Sequence, residues 1–383
     1  MSEYQYYEFT AVDRPLTGRE RAELRSLSTR ADISATSFVN TYEWGDFKGD
    51  PRTLMERYFD AHLYLANWGT RQLMLRLPKH VLDPATVAQY CQGDSASAWT
   101  AGKHVIIDLH DEDEDGADEW DLDGHGLLTS IIPVRADLSA GDLRLLYLAW
   151  LRCVQSEEIT DDEPEPPVPA GLDTLDAPLT AVAEFLRIDP DLIAAAAAGS
   201  PPAASGEPTA ARLRTWVVGL PAPDKDAILT DLITSGESHL RSRLLRRYRD
   251  AHRTDTPTPA AARTAGELLA TAAELRAVRE RRDAEQRERD RIRRERSAAA
   301  ARQRHLDTLA VDQPAAWQRV DELIATKKAR EYDTAVQLLV DLRDLGERDG
   351  DSSSFQHRLA ELRVAHARKP SLLERLNLAG LDT

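Results

Sequence analysis

The sequence predicts an α+β N-terminal domain followed by all-α regions that include one long charged helix. Three observations carry this. Of the 23 Phe, Trp and Tyr residues, 17 lie before residue 151, so the aromatic core sits at the front of the chain. Strand-like and helix-like segments alternate up to about residue 156, and only helix-like segments follow. The run 263–310 contains no proline and one glycine, Gly266.

Each element has a local cause. Tyr4 to Val12 is rich in aromatics and reads as a strand. Thr17-Gly-Arg-Glu20 is a capping box that opens a helix through Leu24 and Leu27. Thr36 to Trp44 alternates as a strand. Asp50-Pro51 supplies an N-cap and a proline at the first helical position. The helix it opens places Leu54, Tyr58, Ala61, Leu65 and Trp68 on one face. Arg71 to Leu77 is a further strand, ended by Pro78. Ser97 to Leu109 reads as one hairpin arm, with Gly126 to Val134 as its partner. A helix from about Ser139 to Gln155 packs Leu143, Leu146, Tyr147, Trp150 and Leu151. A ferredoxin-like sandwich is one arrangement compatible with this order.

The domain organisation that follows has an acidic α+β domain over 1–156 and a Pro- and acid-rich linker over 157–177. A helical domain over 178–253 comes next, with helices near 178–186, 189–198, 210–219 and 223–252. The long charged helix takes 263–310, and a small helical bundle takes 314–383. In that bundle Leu338, Leu339, Leu342 and Leu345 are regularly spaced apolar anchors.

Burial cannot explain the long helix. Between Arg276 and Arg296 it has ten arginines, six acids, and only Val278 and Ile292 as sizeable apolar side chains. A helix polar all round bridges solvent or is held by its own charge pairs. Asp283–Arg287, Glu285–Arg289, Asp290–Arg294, Arg276–Glu280, Arg279–Asp283, Arg281–Glu285 and Arg291–Glu295 are all spaced i,i+4, each worth about 0.2–0.5 kcal/mol. A coiled coil needs apolar a and d positions. With Leu268 and Leu275 at a, the a series continues Arg282, Arg289, Arg296, which is a poor seam. A solvated single helix is therefore favoured over a partner-dependent coil.

Charge is segregated. Up to Glu165 there are 15 Lys and Arg against 31 Asp and Glu, which accounts for the whole formal charge of −16. Such an acidic domain disfavours general binding to nucleic acid or anionic membrane, and suits a basic protein partner. A hydrophobic fraction of 42% is enough for real cores. The two cysteines, Cys91 and Cys153, give neither a disulfide framework nor a zinc set. No secretory signal and no apolar run long enough to span a bilayer is visible, so a cytoplasmic protein with no membrane partner is expected.

The Trp44–Pro51 stretch (WGDFKGDP), the Tyr64–Pro78 stretch (YLANWGTRQLMLRLP) and the tail motifs YDTAVQLLVDLRDL and ARKPSLLERLNLAGL resemble a family of uncharacterised actinobacterial proteins. The likeness covers the whole chain and implies no activity beyond an accessory role. The tail alone is similar to helical tails of bacterial SWIM zinc-finger proteins. The zinc module itself is absent, because the chain has no Cys-x-Cys and no Cys-x-His.

Candidate chemistry is sparse. Asp111-x-Asp113-x-Asp115-Gly116 matches the opening of an EF-hand loop, whose alternate oxygens converge on a hard cation. The twelfth position requires Glu and holds Leu122, so a solvated acidic hairpin loop is favoured. Gly93-Asp94-Ser95 is similar to the nucleophile block of some lipase-like hydrolases, but lacks the downstream Asp-x-x-His; a turn and helix cap is favoured. His104, His110 and His125 flank the acidic loop with no known ligand spacing. Cys91 reads as a packing thiol. Trp44, Asp46, Phe47 and Lys48 form the most distinctive loop and are candidates for binding a protein partner. Arg241, Arg243, Arg246, Arg247 and Arg249, with Tyr248, are candidates for phosphate or nucleic acid. No cofactor is implied. The expected role is a non-enzymatic interaction or scaffold protein with a charged-helix spacer and a protein partner. The alternative is a nucleic acid-associated accessory protein that uses its arginine-rich helices.

Overall fold

A computed structural model describes residues 4–112, 123–202, 210–235, 240–251 and 263–382, without the side chains of 231, 234, 235, 241–243, 246, 249 and 250. The chain forms two compact units, Met1–Arg279 and Glu280–Thr383.

The first unit is built on a seven-stranded antiparallel sheet. Its strands are β1 (Gln5–Thr10), β2 (Asp32–Ile33), β3 (Ser37–Tyr42), β4 (Ala61–Ala66), β5 (Thr70–Pro78), β6 (Ala96–Ala101) and β7 (His104–Glu112), in spatial order β2-β3-β1-β4-β5-β7-β6. The α+β class holds, with a sheet larger than a four-stranded ferredoxin-like sandwich. The alternation of a pleated strand assigns the two faces. Phe9, Phe38, Met74 and Ile106 point to one face, where α1 (Gly18–Leu27) and α2 (Pro51–Arg57) bring Leu24, Leu54 and Met55. Leu63, Leu65, Leu73, Leu75, Val105, Ile107 and Leu109 point to the other.

The short α3 (Pro84–Val87) precedes β6, and the second face is covered by α4 (Leu127–Ile131), α5 (Pro133–Ser139), α6 (Arg144–Gln155), α7 (Ala177–Phe185) and α8 (Pro190–Ala197). Every residue of α6 from Leu145 to Val154 is buried, which makes it the central helix of this layer. The stretch 157–177, read as a linker, lies along the same face. Ile159, Glu165 and Leu172 are buried, and the Tyr90 hydroxyl donates to the Pro167 carbonyl at 2.7 Å.

Two sequence expectations are corrected. The helix after Asp50-Pro51 stops at Arg57, and residues 61–66 are strand β4 instead of its continuation. Positions 61 and 65 satisfy a stripe of period 3.6 and an alternation of period 2 equally, and pairing with β1 and β5 selects the strand. The hairpin Ser97–Leu109 contains both of its own strands, β6 and β7, joined through Gly102 at φ +55°. Residues 126–134 form α4 and the start of α5.

Among the described residues the remaining helices of this unit are α9 (Ala210–Gly219), α10 (Ala222–Ser235) and α11 (Leu240–Ala251); residues 236–239 of the single helix expected over 223–252 lie outside the described residues. The long helix α12 (Ala265–Val311) starts here. Ala265, Leu268 and Ala272 enter the core. Arg263 reaches Glu165 at 2.8 Å, and Glu165 also accepts from the Tyr147 hydroxyl. Arg276 pairs with Asp189, and Arg279 with Asp191 at 2.7 Å, both at the start of α8.

In the second unit, α13 (Gln313–Ala325), α14 (Ala329–Asp349), α15 (Ser352–Ala365) and α16 (Pro370–Leu378) enclose a core that includes Trp317, Leu339, Leu342 and Phe355. Arg302 and His305 of α12 pair with Asp341 of α14. From Arg279 to Ala301 every residue of α12 except Asp290 is exposed, as a helix without a buried stripe requires. Its charges pair along its own surface: Arg289–Glu285 at 3.3 Å, Arg291–Glu288 at 2.7 Å, Arg291–Glu295 at 2.9 Å and Arg293–Asp290 at 2.8 Å.

Asp60 is buried between α2 and β4. One oxygen accepts from Arg76 at 2.8 and 3.1 Å, and the other from the backbone amides of Val12 and Asp13 at 2.7 and 2.9 Å. Removing one member of a buried pair strands the other charge. Asp60→Ala is therefore expected to cost about 3–5 kcal/mol, read by urea unfolding.

His62 donates through Nδ1 to the Glu8 carbonyl at 2.9 Å and stacks on Phe9 at 3.9 Å. Burial pushes its pKa down from 6.5 to about 4. Between those values the unfolded chain binds the proton and the folded chain does not, so stability falls as pH drops through this window. Urea unfolding at pH 7 and pH 5 is expected to show a loss about 2 kcal/mol smaller in His62→Gln than in the parent protein.

Candidate functional site

The Trp44 loop turns through Gly45 at φ +80° and is tied to β1 by the Gln5 amide, which donates to the Gly45 carbonyl and the Asp46 carboxylate, both at 3.2 Å. Phe47 packs inward on Tyr7 at 5.1 Å and Phe38 at 5.6 Å. Gly49 leaves room for that ring, since a Cβ there would stand 2.5 Å from it. Trp44 is 64% exposed, with the Arg30 guanidinium 4.2 Å above its ring. Asp46 and Lys48 are exposed. The loop thus splits into one anchoring aromatic and one surface aromatic.

Asp111, next to the last residue of β7, is buried, with Arg152 at 2.7 Å on one oxygen and Arg187 at 3.0 Å on the other. Two guanidiniums hold this carboxylate inside the protein, where the cation loop needed it at the surface. Asp113 and Asp115 lie outside the described residues. His104 and His110 stand at opposite ends of β7, and His125 packs edge-on against Tyr6 at 5.2 Å. The three histidines do not converge. Among the described residues no group of three or more His, Cys, Asp and Glu is arranged to hold a metal ion.

In α11, Arg247 pairs with Asp224 of α10, and Tyr248 is buried edge-on against Trp216 of α9 at 5.6 Å. The side chains of Arg241, Arg243, Arg246 and Arg249 lie outside the described residues. Tyr248 serves packing and presents no stacking face to a base.

Sequence reasoning missed a polar pocket of about 410 Å³ at the start of β6, lined by Asp94, Ser95, His110, Glu112, Arg152, Ser156 and Glu158. The Ser95 hydroxyl donates to Glu158 at 2.6 Å, and the Ser95 amide donates to the same carboxylate at 3.0 Å. A Cβ on Gly93 would meet Glu158 at 2.0 Å, so glycine is what lets the carboxylate in. Opposite Ser95 in the ladder, His110 bonds Asp108 at 2.9 Å and Gln72 at 3.0 Å. Burial lowers the His110 pKa, but the Asp108 hydrogen bond and the charges of Asp108, Glu112 and Asp94 outweigh it and raise it. Asp94, Glu112 and Glu158 give the pocket an acidic character suited to a cationic group. Ser95 is occupied by Glu158 and not by a histidine, unlike an activated nucleophile.

Sequence reasoning also passed over the apolar surface of α9 and α10. Val217, Val218, Leu229, Leu232 and Ile233 are exposed, Val218 at 70% and Ile233 at 81%. Leu229, Leu232 and Ile233 share one helix face by their i, i+3, i+4 spacing. That spacing was available in the sequence, where it reads as an ordinary core stripe.

Comparison with known proteins finds no match: no family model, no curated protein and no solved structure matches the chain. Among the described residues no helix is long and apolar enough to cross a membrane.

Because Asp111 joins β7 to α6 and to the turn before α8, Asp111→Asn is expected to destabilise the protein by about 3–5 kcal/mol. Thermal unfolding with and without millimolar calcium checks the assignment. The loss should be the same in both, whereas a calcium ligand would make the parent protein, but not the variant, respond to the ion.

Proposed function

We propose that this chain is a non-enzymatic protein-interaction or scaffold protein, with the charged middle of α12 as a spacer element. The apolar face of α10 carries this reading. Large side chains left exposed at helical spacing mark a docking surface for an apolar partner, since single scattered residues would need no explanation but a shared face does. The exposed Trp44 under Arg30 adds the kind of aromatic anchor that interfaces favour. The solvated stretch 279–301 supports the spacer, because its charges are matched along its own surface instead of against a core.

The nucleic-acid alternative draws less support. Arg247, Arg289, Arg291 and Arg293 each face an acid of this chain, and a phosphate would have to displace it.

The test is the double variant Leu232→Asp and Ile233→Asp. Both side chains are exposed, so circular dichroism should be unchanged. Proteins that co-purify with the parent chain from its native cells should be lost, and for a purified partner the Kd should rise by at least about 30-fold. An unchanged set of partners would overturn the reading.

A further inference from the structure

We propose that β6 is a self-association edge: a second copy of the chain adds its own β6 antiparallel, with Lys103 of each copy entering the acidic pocket of the other. This surface is separate from the α10 face and does not depend on it.

Among the described residues β6 ends the sheet and pairs only with β7. The register shows which of its main-chain groups are unused. The His110 amide donates to the Ser95 carbonyl at 2.8 Å. In an antiparallel ladder inward and outward residues alternate. Ser95, Ser97, Trp99 and Ala101 therefore face β7, while Ala96, Ala98 and Thr100 face outward. The Ala96 carbonyl accepts from the Gly93 amide at 3.2 Å, as an outward group would. Ala98 and Thr100 are both exposed.

The strand also lacks what normally protects an edge. Edges are blunted by charge, proline, bulges or short length. β6 runs for six residues as ASAWTA, with no charge and no proline. In an acidic domain this strand carries no charge of its own where a neighbour would pair.

Charge and register then select the occupant. If Ala98 pairs with Thr100 of the second copy, a two-fold axis passes through Trp99, and all four outward groups of Ala98 and Thr100 are satisfied in each copy. The alternative register, Ala98 on Ala98, spends pairing on Ala96, whose carbonyl is already taken. In the favoured register Ala101 is opposite Ser97 of the other copy, so the Gly102-Lys103 turn, where Lys103 is exposed, comes beside the Ser95 end of that copy. Ser95 lines the pocket that Asp94, Glu112 and Glu158 make acidic. The two-fold repeats this contact at both ends of the paired strands, as an isologous interface must. Trp99 of each copy stands at the axis, with its indole held by Glu56 at 2.8 Å and Arg52 at 4.1 Å over the ring.

Analytical ultracentrifugation of the full chain tests this. The parent protein is expected to form a dimer within the range of about 1–100 μM. Ala98→Pro with Thr100→Pro removes only outward N–H groups, because proline is tolerated where no ladder bond to β7 is lost. That variant should be monomeric with unchanged circular dichroism. Lys103→Glu should raise the dimer Kd by at least about tenfold without touching the strand. A parent chain that stays monomeric over the whole range overturns the proposal. So does a dimer that both variants leave intact. The Leu232 and Ile233 substitutions should leave the dimer unchanged, so the two surfaces fail or stand separately.

Discussion

The first unit depends on the burial of the Asp60 carboxylate. Asp60 stands where α2 hands over to β4, and its carboxylate bonds two other parts of the chain. Its contact with Arg76 fixes β5, and its contacts with the Val12 and Asp13 amides fix the turn after β1. Arg76 in turn donates to the Met55 and Glu56 carbonyls at 3.0 and 3.2 Å, closing the free end of α2. Arg135 of α5 donates to the Arg76 carbonyl at 2.8 Å and grips Asp13 with two bonds. Helices from both faces of the sheet thus end on one ionic network. A buried pair of this kind is not a large net source of stability, but any change in register strands a charge. Its effect is to specify which strands meet.

The same device recurs at two other places. Asp111 joins β7 to Arg152 and Arg187, and Glu165 joins Tyr147 to Arg263 just before α12. The second of these anchors the start of the long helix on the stretch 157–177, which otherwise has little apolar content. The Ala265 amide donates to the Glu163 carbonyl, and the Glu165 amide donates to the Arg263 carbonyl, so the backbones are stitched in both directions. An acid-rich segment that composition marks as a tether becomes a seam once an arginine arrives from 98 residues further along.

How much of this was legible in the sequence follows from the range of each interaction. Capping boxes and Asp-Pro helix starts act over three or four residues, so α1 and α2 begin where Thr17 and Asp50 place them. The absence of a burial stripe in 279–301 is equally local. What was not legible is whatever required a partner far away in sequence. Ala61 and Leu65 fit a helix stripe until β1 and β5 claim them. Asp111 resembles a cation ligand until Arg152 and Arg187 reach it. Ser95, Glu158 and His110 form a pocket only because β7 folds back on β6 and α6 ends beside them. Gly93 was the one local clue, as a residue whose missing Cβ makes room for Glu158.

The two ends of the sheet show how the acid excess of this unit is used. The β2 end is only two residues long and carries the exposed Asp32, and beyond it the chain turns sharply, with the Ser34 and Ser37 hydroxyls bonded to each other. Short length and charge there leave little for another strand to pair with. At the β6 end the charges are displaced to the margins: Glu56 takes the Trp99 indole at 2.8 Å, Arg52 lies 4.1 Å over the same ring, and the acids Asp94, Glu112 and Glu158 gather at one end while Lys103 stands at the other. A stretch that up to Glu165 has 31 acids against 15 bases has every opportunity to place a charge on β6, and instead keeps that strand neutral between an acidic pocket and a lysine. Separation of opposite charges along a neutral, unpaired edge makes the edge complementary to its own two-fold image, which is a property of an interface and not of a solvent-facing strand.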